Sequence, residues 1–145
     1  MSEQDFRARI AAGEFLEHAQ VHGNLYGTLK GPLVSSLRSG KDVLIDVDIQ
    51  GASSIRASTD PAIQQALCDV FIMPPSLEEL RARLIKRGTE SSQQIEVRLA
   101  TAAREIPLWR AYRYTIITTS IERDLQRFRS IVEAERNLSN RLVLN

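Results

Sequence analysis

The chain has 145 residues, 43% hydrophobic and 26% charged, the size and balance of one compact domain able to bury a core. A formal net charge of +1 gives no general attraction to nucleic acid or membrane, and no segment approaches the roughly 20 apolar residues of a membrane span. No charged-then-apolar leader opens the sequence, and the single Cys68 has neither a second cysteine nor a nearby histidine; disulfide and zinc readings fail, and a reducing cytoplasm is the expected setting.

Ser2, with Phe6 and Ile10 at helical spacing and Gly13 beyond them, predicts a short helix close to Met1. FLEHAQVH reads as a strand with Phe15, Glu17, Ala19 and Val21 on one face; Gly23-Asn24 signals a turn, and LYGT returns as a second short strand. Pro32 at the start and Gly40 just past the end bound a two-turn helix with Leu33 and Leu37 on one face. DVLIDVD, residues 42–48, is apolar on both faces, as a parallel strand covered on both sides would be. DVFIMPP at 69–75 and YTIIT at 114–118 share that character. Three buried strands separated by helical sequence predict an α/β fold.

Ser76 with Glu79 predicts a capping box that opens SLEELRARLIKR, whose Leu77, Leu80 and Leu84 form an apolar stripe. RGTESS reads as a polar loop, followed by a helix from Gln94 to Glu105 with Ile95, Leu99 and Ala102 inward. A last helix, from about Ile121 to Leu142, carries Leu125, Phe128, Ile131 and Val132 on one face. No internal repeat, low-complexity tract or linker interrupts the pattern.

The chemistry-bearing residues begin with Asp46 and Asp48 in LIDVDIQG. Alternation along a strand turns both side chains the same way, so they can address one ligand; on the plainer reading they cap the helix after Gln50-Gly51. His18 and His22 sit opposite Glu17 at strand spacing but lack a third ligand, so they do not read as a metal pair. Trp109 and Tyr112 read as core or helix-anchoring aromatics.

Taken together, GEFLEHAQVHGNLYGT, SGKDVLIDVDIQGA, FIMPPSLEELRARLIKRGTES and the Arg98-Leu99 helix resemble the guanylate kinases, P-loop nucleoside monophosphate kinases that move a phosphoryl group from ATP to GMP. The resemblance runs from about Ser2 to the end of the chain. It implies one domain over 1–145, with a parallel sheet covered by helices on both faces. Within it, 1–40 would form a small mixed β GMP-binding subdomain, 41–75 and 107–145 the core, and 76–106 a helical lid with its flanking helices.

The resemblance also assigns roles. Glu17 would accept from guanine N1-H and the 2-amino group; a carboxylate offers two acceptors to those two parallel donors, and adenine presents no such pair. Tyr26 would contact the GMP phosphate and Thr28 would bring a hydroxyl near guanine O6, although Thr28 also suits the cap of the helix after Gly31-Pro32. Asp46 and Asp48 would face the gap between the nucleotides, one approaching GMP, with Asp48 reaching Mg2+ or its waters; a hydrated hard cation bridging phosphates needs only one or two carboxylates. Arg83, Arg87 and Arg98 would clamp the ATP phosphates and the transferring group, since a guanidinium fork matches phosphate geometry and offsets developing charge. A solvated helix face accounts equally well for Arg81 and Lys86. The implied ligands are GMP and ATP with Mg2+, with no nucleic acid and no membrane.

Guanylate kinases open with a strand and a G-x-x-x-x-G-K-[ST] loop, and the nearest stretch here, Ser39-Gly40-Lys41, lacks the upstream glycine and the following Ser or Thr. The expectation is therefore the family fold without its first strand and P-loop: a chain that keeps the GMP site and lid, binds ATP weakly or not at all, and is inactive alone. A homodimer that exchanges strands would cover the open sheet edge. The alternative is a non-catalytic GMP-binding or protein-interaction module of the same fold. On the donor side, Thr118-Thr119-Ser120 stands where the family commonly has an Asn-Asp pair near adenine, and Arg113 where an acid is usual. Hydroxyls can still bond a base.

Overall fold

The computed structural model describes residues 1–21 and 24–141, in two compact units, Met1–Leu67 and Cys68–Asn145. The fold class is α/β, as expected, with helices alternating with two small sheets. Among the described residues, no helix is long and apolar enough to cross a membrane.

In the first unit, α1 (Glu3–Ala11) is capped by Ser2, whose Oγ accepts from the Asp5 N–H at 3.1 Å. Gly13 adopts φ 67°, the left-handed conformation that lets the chain leave the helix and enter β1 (Phe15–Val21). β1 pairs antiparallel with β2 (Asn24–Leu29). His22, Gly23 and the side chain of Val21 lie outside the described residues, and with them the expected turn and the second histidine.

The ladder slips by one residue between Phe15, which faces Leu29, and Glu17, which faces Thr28. This bulge reverses the alternation, so the Phe15 ring lies on the side of His18 and Gly27, not on the side of Glu17 as the uninterrupted pattern predicts. There it stacks on Phe6 with ring centroids 4.3 Å apart, and both Phe15 and Leu16 are buried.

The helix α2 (Lys30–Arg38) starts two residues before Pro32, which is tolerated because a first-turn N–H has no intrahelical acceptor. Its N-cap, Leu29, supplies no side-chain bond, so Thr28 does not cap it. Leu33 and Val34 join Leu16, Ile55 and Ile63 in the core of this unit. The stretch 42–48 differs most from expectation: it belongs to no ladder, and Leu44 is 78% exposed. A strand is held by a hydrogen-bonded neighbour, and no strand lies beside this one among the described residues. Its alternation survives, with Ile45 and Val47 packed on the core and Asp46 and Asp48 outward. Asp48 then caps α3 (Ile49–Arg56), and Asp60 caps α4 (Pro61–Ala66).

In the second unit, β3 (Val70–Met73) and β4 (Tyr114–Ile117) pair in parallel, Ile72 opposite Ile116. Ile116 is fully covered, with α7 (Ile121–Arg136) against its strand, whereas Ile72 remains 60% exposed. Between the strands, α5 (Leu77–Arg87) and α6 (Ser92–Glu105) form a helical hairpin around Leu84, Ile95 and Leu99, with Leu80 beside them.

The capping box expected at Ser76 is only half made. Ser76 accepts from the Glu79 N–H, but the Glu79 carboxylate turns to Arg83 at 2.8 Å. The complete box is Ser91 with Gln94, two residues earlier than the helix start read from the sequence. A 3-10 helix, Ile106–Ala111, follows. α7 ends at Arg136, not near Leu142, which lies outside the described residues, and Leu125 stays largely exposed.

The buried Glu135 of α7 is held by three groups. The Tyr114 hydroxyl donates to its Oε1 at 2.9 Å, Arg113 Nε lies 3.0 Å from the same oxygen, and Arg141 lies 3.0 Å from Oε2. Arg113, standing where an acid is usual in the resemblance, is thus committed to a structural ion pair.

Candidate functional site

The expected site residues fall in both units. In the first, Glu17 and Thr28 face each other directly across the β1–β2 ladder, and the Thr28 hydroxyl donates to Glu17 Oε1 at 2.6 Å. Ala19 faces Tyr26 two pairs further along, so Glu17, Thr28 and Tyr26 occupy one face of the hairpin. Glu17 and Thr28 are half-buried, while Tyr26 is 57% exposed and its hydroxyl has no partner among the described residues. This face offers a carboxylate oxygen, a hydroxyl oxygen and a phenol.

Gly27, between Tyr26 and Thr28, has a packing reason of its own. A Cβ there would lie 2.8 Å from the Glu17 carbonyl oxygen, 2.8 Å from Phe15 Cδ1 and 3.0 Å from His18 Cβ. The Phe15 ring therefore sits over a position that only glycine leaves empty.

Asp46 is exposed and has no hydrogen-bond or ion-pair partner among the described residues. Asp48 Oδ1 accepts from the Gly51 N–H at 2.8 Å, so the plainer reading, a helix cap, holds for this residue. Gly51 fits this first turn because a Cβ would meet Val47 Cβ at 2.9 Å. Among the described residues no three His, Cys, Asp or Glu side chains gather as a metal cage. Asp46 and the second oxygen of Asp48 are nonetheless hard donors of the kind that suits a largely hydrated Mg2+ held chiefly by nucleotide phosphates.

In the second unit, Arg83 lies along α5 with Nε on Glu79 and Nη1 donating to Thr118 Oγ1 at 2.6 Å. These residues line an open groove of about 530 Å³ together with Lys86, Thr119 and Asp124. The Thr119 amide and hydroxyl both bond Asp124, and Ser120 caps α7. Of the hydroxyls read as able to bond a base, that of Thr119 donates to Asp124, whereas Thr118 and Ser120 accept and keep their O–H protons. Arg87, in the last turn of α5, is exposed with no partner among the described residues.

Arg98 on α6 pairs through Nε with Glu90 Oε1 at 2.8 Å, while most of its guanidinium stays open to solvent. Glu90 holds a candidate site residue, Arg98, and the sequence reading left it inside a polar loop. Its side chain is only 8% exposed, and its Oε2 is buried with no hydrogen-bond partner. An acid in the RGTES stretch, eight residues before Arg98, was the available signal. Arg81 is paired to Glu96, which lowers the Glu96 carboxyl and raises the Arg81 guanidinium through their mutual hydrogen bonds. Of the two aromatics, Tyr112 packs on Phe71 with centroids 4.9 Å apart, and Trp109 lies at the surface under Arg110.

A family model described as guanylate kinase matches residues 1–135. The guanylate kinase of Clostridium tetani is 38% identical over 136 residues, 94% of this chain and 63% of that protein. That of Dechloromonas aromatica is 45% identical over 130 residues, 90% of this chain and 62% of that protein. The crystal structure of guanylate kinase from Anaplasma phagocytophilum superposes with a TM-score of 0.76 at 33% identity, covering 99% of this chain and 67% of that one. The chain thus spans a little under two thirds of the length of these curated relatives.

Proposed function

Because the chain belongs to the guanylate kinase family, we propose that its β1–β2 hairpin binds the base of GMP and that its residues serve the family reaction, ATP + GMP giving ADP + GDP. The observation that carries this reading is the opposed Glu17–Thr28 pair with Tyr26 on the same face. Glu17 supplies acceptors to guanine N1-H and the 2-amino group, and Tyr26, exposed beyond it, reaches toward the phosphate. Asp46 completes the GMP side.

Arg83, Arg87 and Arg98 are assigned to phosphate and transition-state charge, with residues 76–106 as the lid. Arg87 is the freest of the three, whereas Arg83 and Arg98 already hold protein partners. Mg2+ would be met by Asp48, helped by Asp46, and would supply charge neutralisation on the transferring phosphates. The free thiol of Cys68 accords with a cytoplasmic setting.

Calorimetry tests the acceptor half. GMP is expected to bind, AMP to bind at least tenfold more weakly, and Glu17→Gln to abolish the difference; equal affinities for GMP and AMP would refute the reading. The donor half is tested by a coupled assay. None of the seven glycines makes a G-x-x-x-x-G-K-[ST] stretch within these 145 residues, so negligible GDP formation is expected from them alone. Turnover near the typical ~10 per second would show that they transfer phosphate unaided. GMP binding without turnover, in the chain at its full natural length, would favour a non-catalytic binding module.

A further inference from the structure

We propose that Glu90 is a positioning residue: its buried carboxylate holds Arg98 on the Nε side and so aims the open Nη1–Nη2 fork of that arginine at an oxyanion. The inference rests on the proposed function, which gives Arg98 a phosphate to meet, and adds the residue that orients it. Glu90 lies in the loop between α5 and α6, which is fixed at one end by Gly88 at φ 68° and at the other by the complete Ser91–Gln94 box. Arg98 stands about two turns into α6, about 10 Å of rise beyond Ser91, and helical side chains lean toward the N-terminus. Its guanidinium thereby returns to the loop and meets Glu90 Oε1 at 2.8 Å.

The pair is lopsided. The Glu90 side chain is 8% exposed and that of Arg98 58%, and Glu90 Oε2 is buried with no hydrogen-bond partner among the described residues. A carboxylate taken out of water on those terms loses more in solvation than one mostly hydrated guanidinium returns. Glu135, also buried, gives the contrast, because Tyr114, Arg113 and Arg141 all meet it. Glu90 is thus a poor anchor for the fold and a good one for Arg98. The arginine's Nη1 and Nη2 make no hydrogen bond among the described residues, and they form the fork that matches two oxygens of a phosphate. A free arginine would have to surrender rotamer freedom on meeting that ligand; one already held through Nε has surrendered it in advance.

The test is a coupled assay of GDP formation on the chain at its full natural length, comparing Glu90→Gln, Arg98→Ala and the double variant. Glu90→Gln keeps the shape and removes the charge. It is expected to lower kcat about tenfold to a hundredfold while KM for GMP stays within about twofold, the pattern of an interaction made in the transition state. Added to Arg98→Ala, it should cost less than about twofold more, since no guanidinium is left to aim. Thermal melting of the 145-residue chain supplies the structural comparison: Glu90→Gln should melt within about 3 °C of the wild type, or above it. A larger drop in melting temperature, a full additive loss in the Arg98→Ala background, or an unchanged kcat each overturns the inference. An unmodified protein that forms no GDP would instead defeat the proposed reaction itself.

Discussion

Replacing Gly27 by alanine probes the packing that shapes the hairpin face. The added Cβ would meet two backbone-fixed atoms, the Glu17 carbonyl oxygen at 2.8 Å and His18 Cβ at 3.0 Å, as well as Phe15 Cδ1 at 2.8 Å. None of these yields cheaply. The first two move only if the strands separate, and the Phe15 ring is pinned by its stack on Phe6. Overpacking of this kind costs about 1–3 kcal/mol, against a gain of about 0.4–1 kcal/mol from stiffening the unfolded chain. A net loss of about 1–2 kcal/mol is expected.

Gly31 provides the control, because a Cβ there meets nothing within 4 Å and the residue lies in the first turn of α2. Gly31→Ala should be neutral or stabilising by up to about 1 kcal/mol. Urea denaturation followed by far-ultraviolet circular dichroism measures both. A Gly27→Ala protein as stable as the wild type would refute the close packing of Phe15 over the hairpin.

Two further outcomes test other parts of the structure. Asp48→Ala should lose about 1 kcal/mol through the missing α3 cap, whereas Asp48→Asn keeps an acceptor for the Gly51 N–H and should stay within about 0.5 kcal/mol of wild type by thermal denaturation; equal losses would contradict the capping geometry. The Tyr114 phenol is held above its ordinary value of 10.0, first by donating to Glu135, then by burial and by the Glu135 charge. A group whose folded value is raised stabilises fully below its unfolded value and loses that contribution as pH rises through the folded one. Melting temperatures should therefore fall at strongly alkaline pH, and Tyr114→Phe should flatten that fall. An unchanged alkaline limb in Tyr114→Phe would show that another group causes it.

Much of the site was legible in the sequence because it is local. Strand period puts Tyr26 and Thr28 on one face of β2, and the ladder, by opposing Glu17 to Thr28, brings Glu17 to the same face. The α5–α6 hairpin was legible for the same reason, since Leu80, Leu84, Ile95 and Leu99 recur at helical spacing and meet as a small core. The Ser91-Gln94 box carried an equally clear signal and moves the start of α6 back by two residues.

The misses share a cause in contacts that sequence spacing does not encode. The bulge after Phe15 turns on that ring's place over Gly27 and against Phe6 of α1, and it reverses a face that simple alternation assigns. DVLIDVD has the composition of a buried strand, yet composition cannot supply the hydrogen-bonded neighbour a strand requires, so it runs beside the core with its acids outward.

By itself, then, the sequence determined what its short-range periodicities encode: the two strands of the hairpin, the α5–α6 helical pair, the α/β class and the family resemblance. Tertiary structure alone decided which of these side chains remain free to act. Arg98 is drawn to a buried Glu90, Arg83 to Thr118 and the Thr28 proton to Glu17. A hydrogen bond commits a donor only when folding brings its acceptor within reach, and in these pairs the partners lie well apart along the chain.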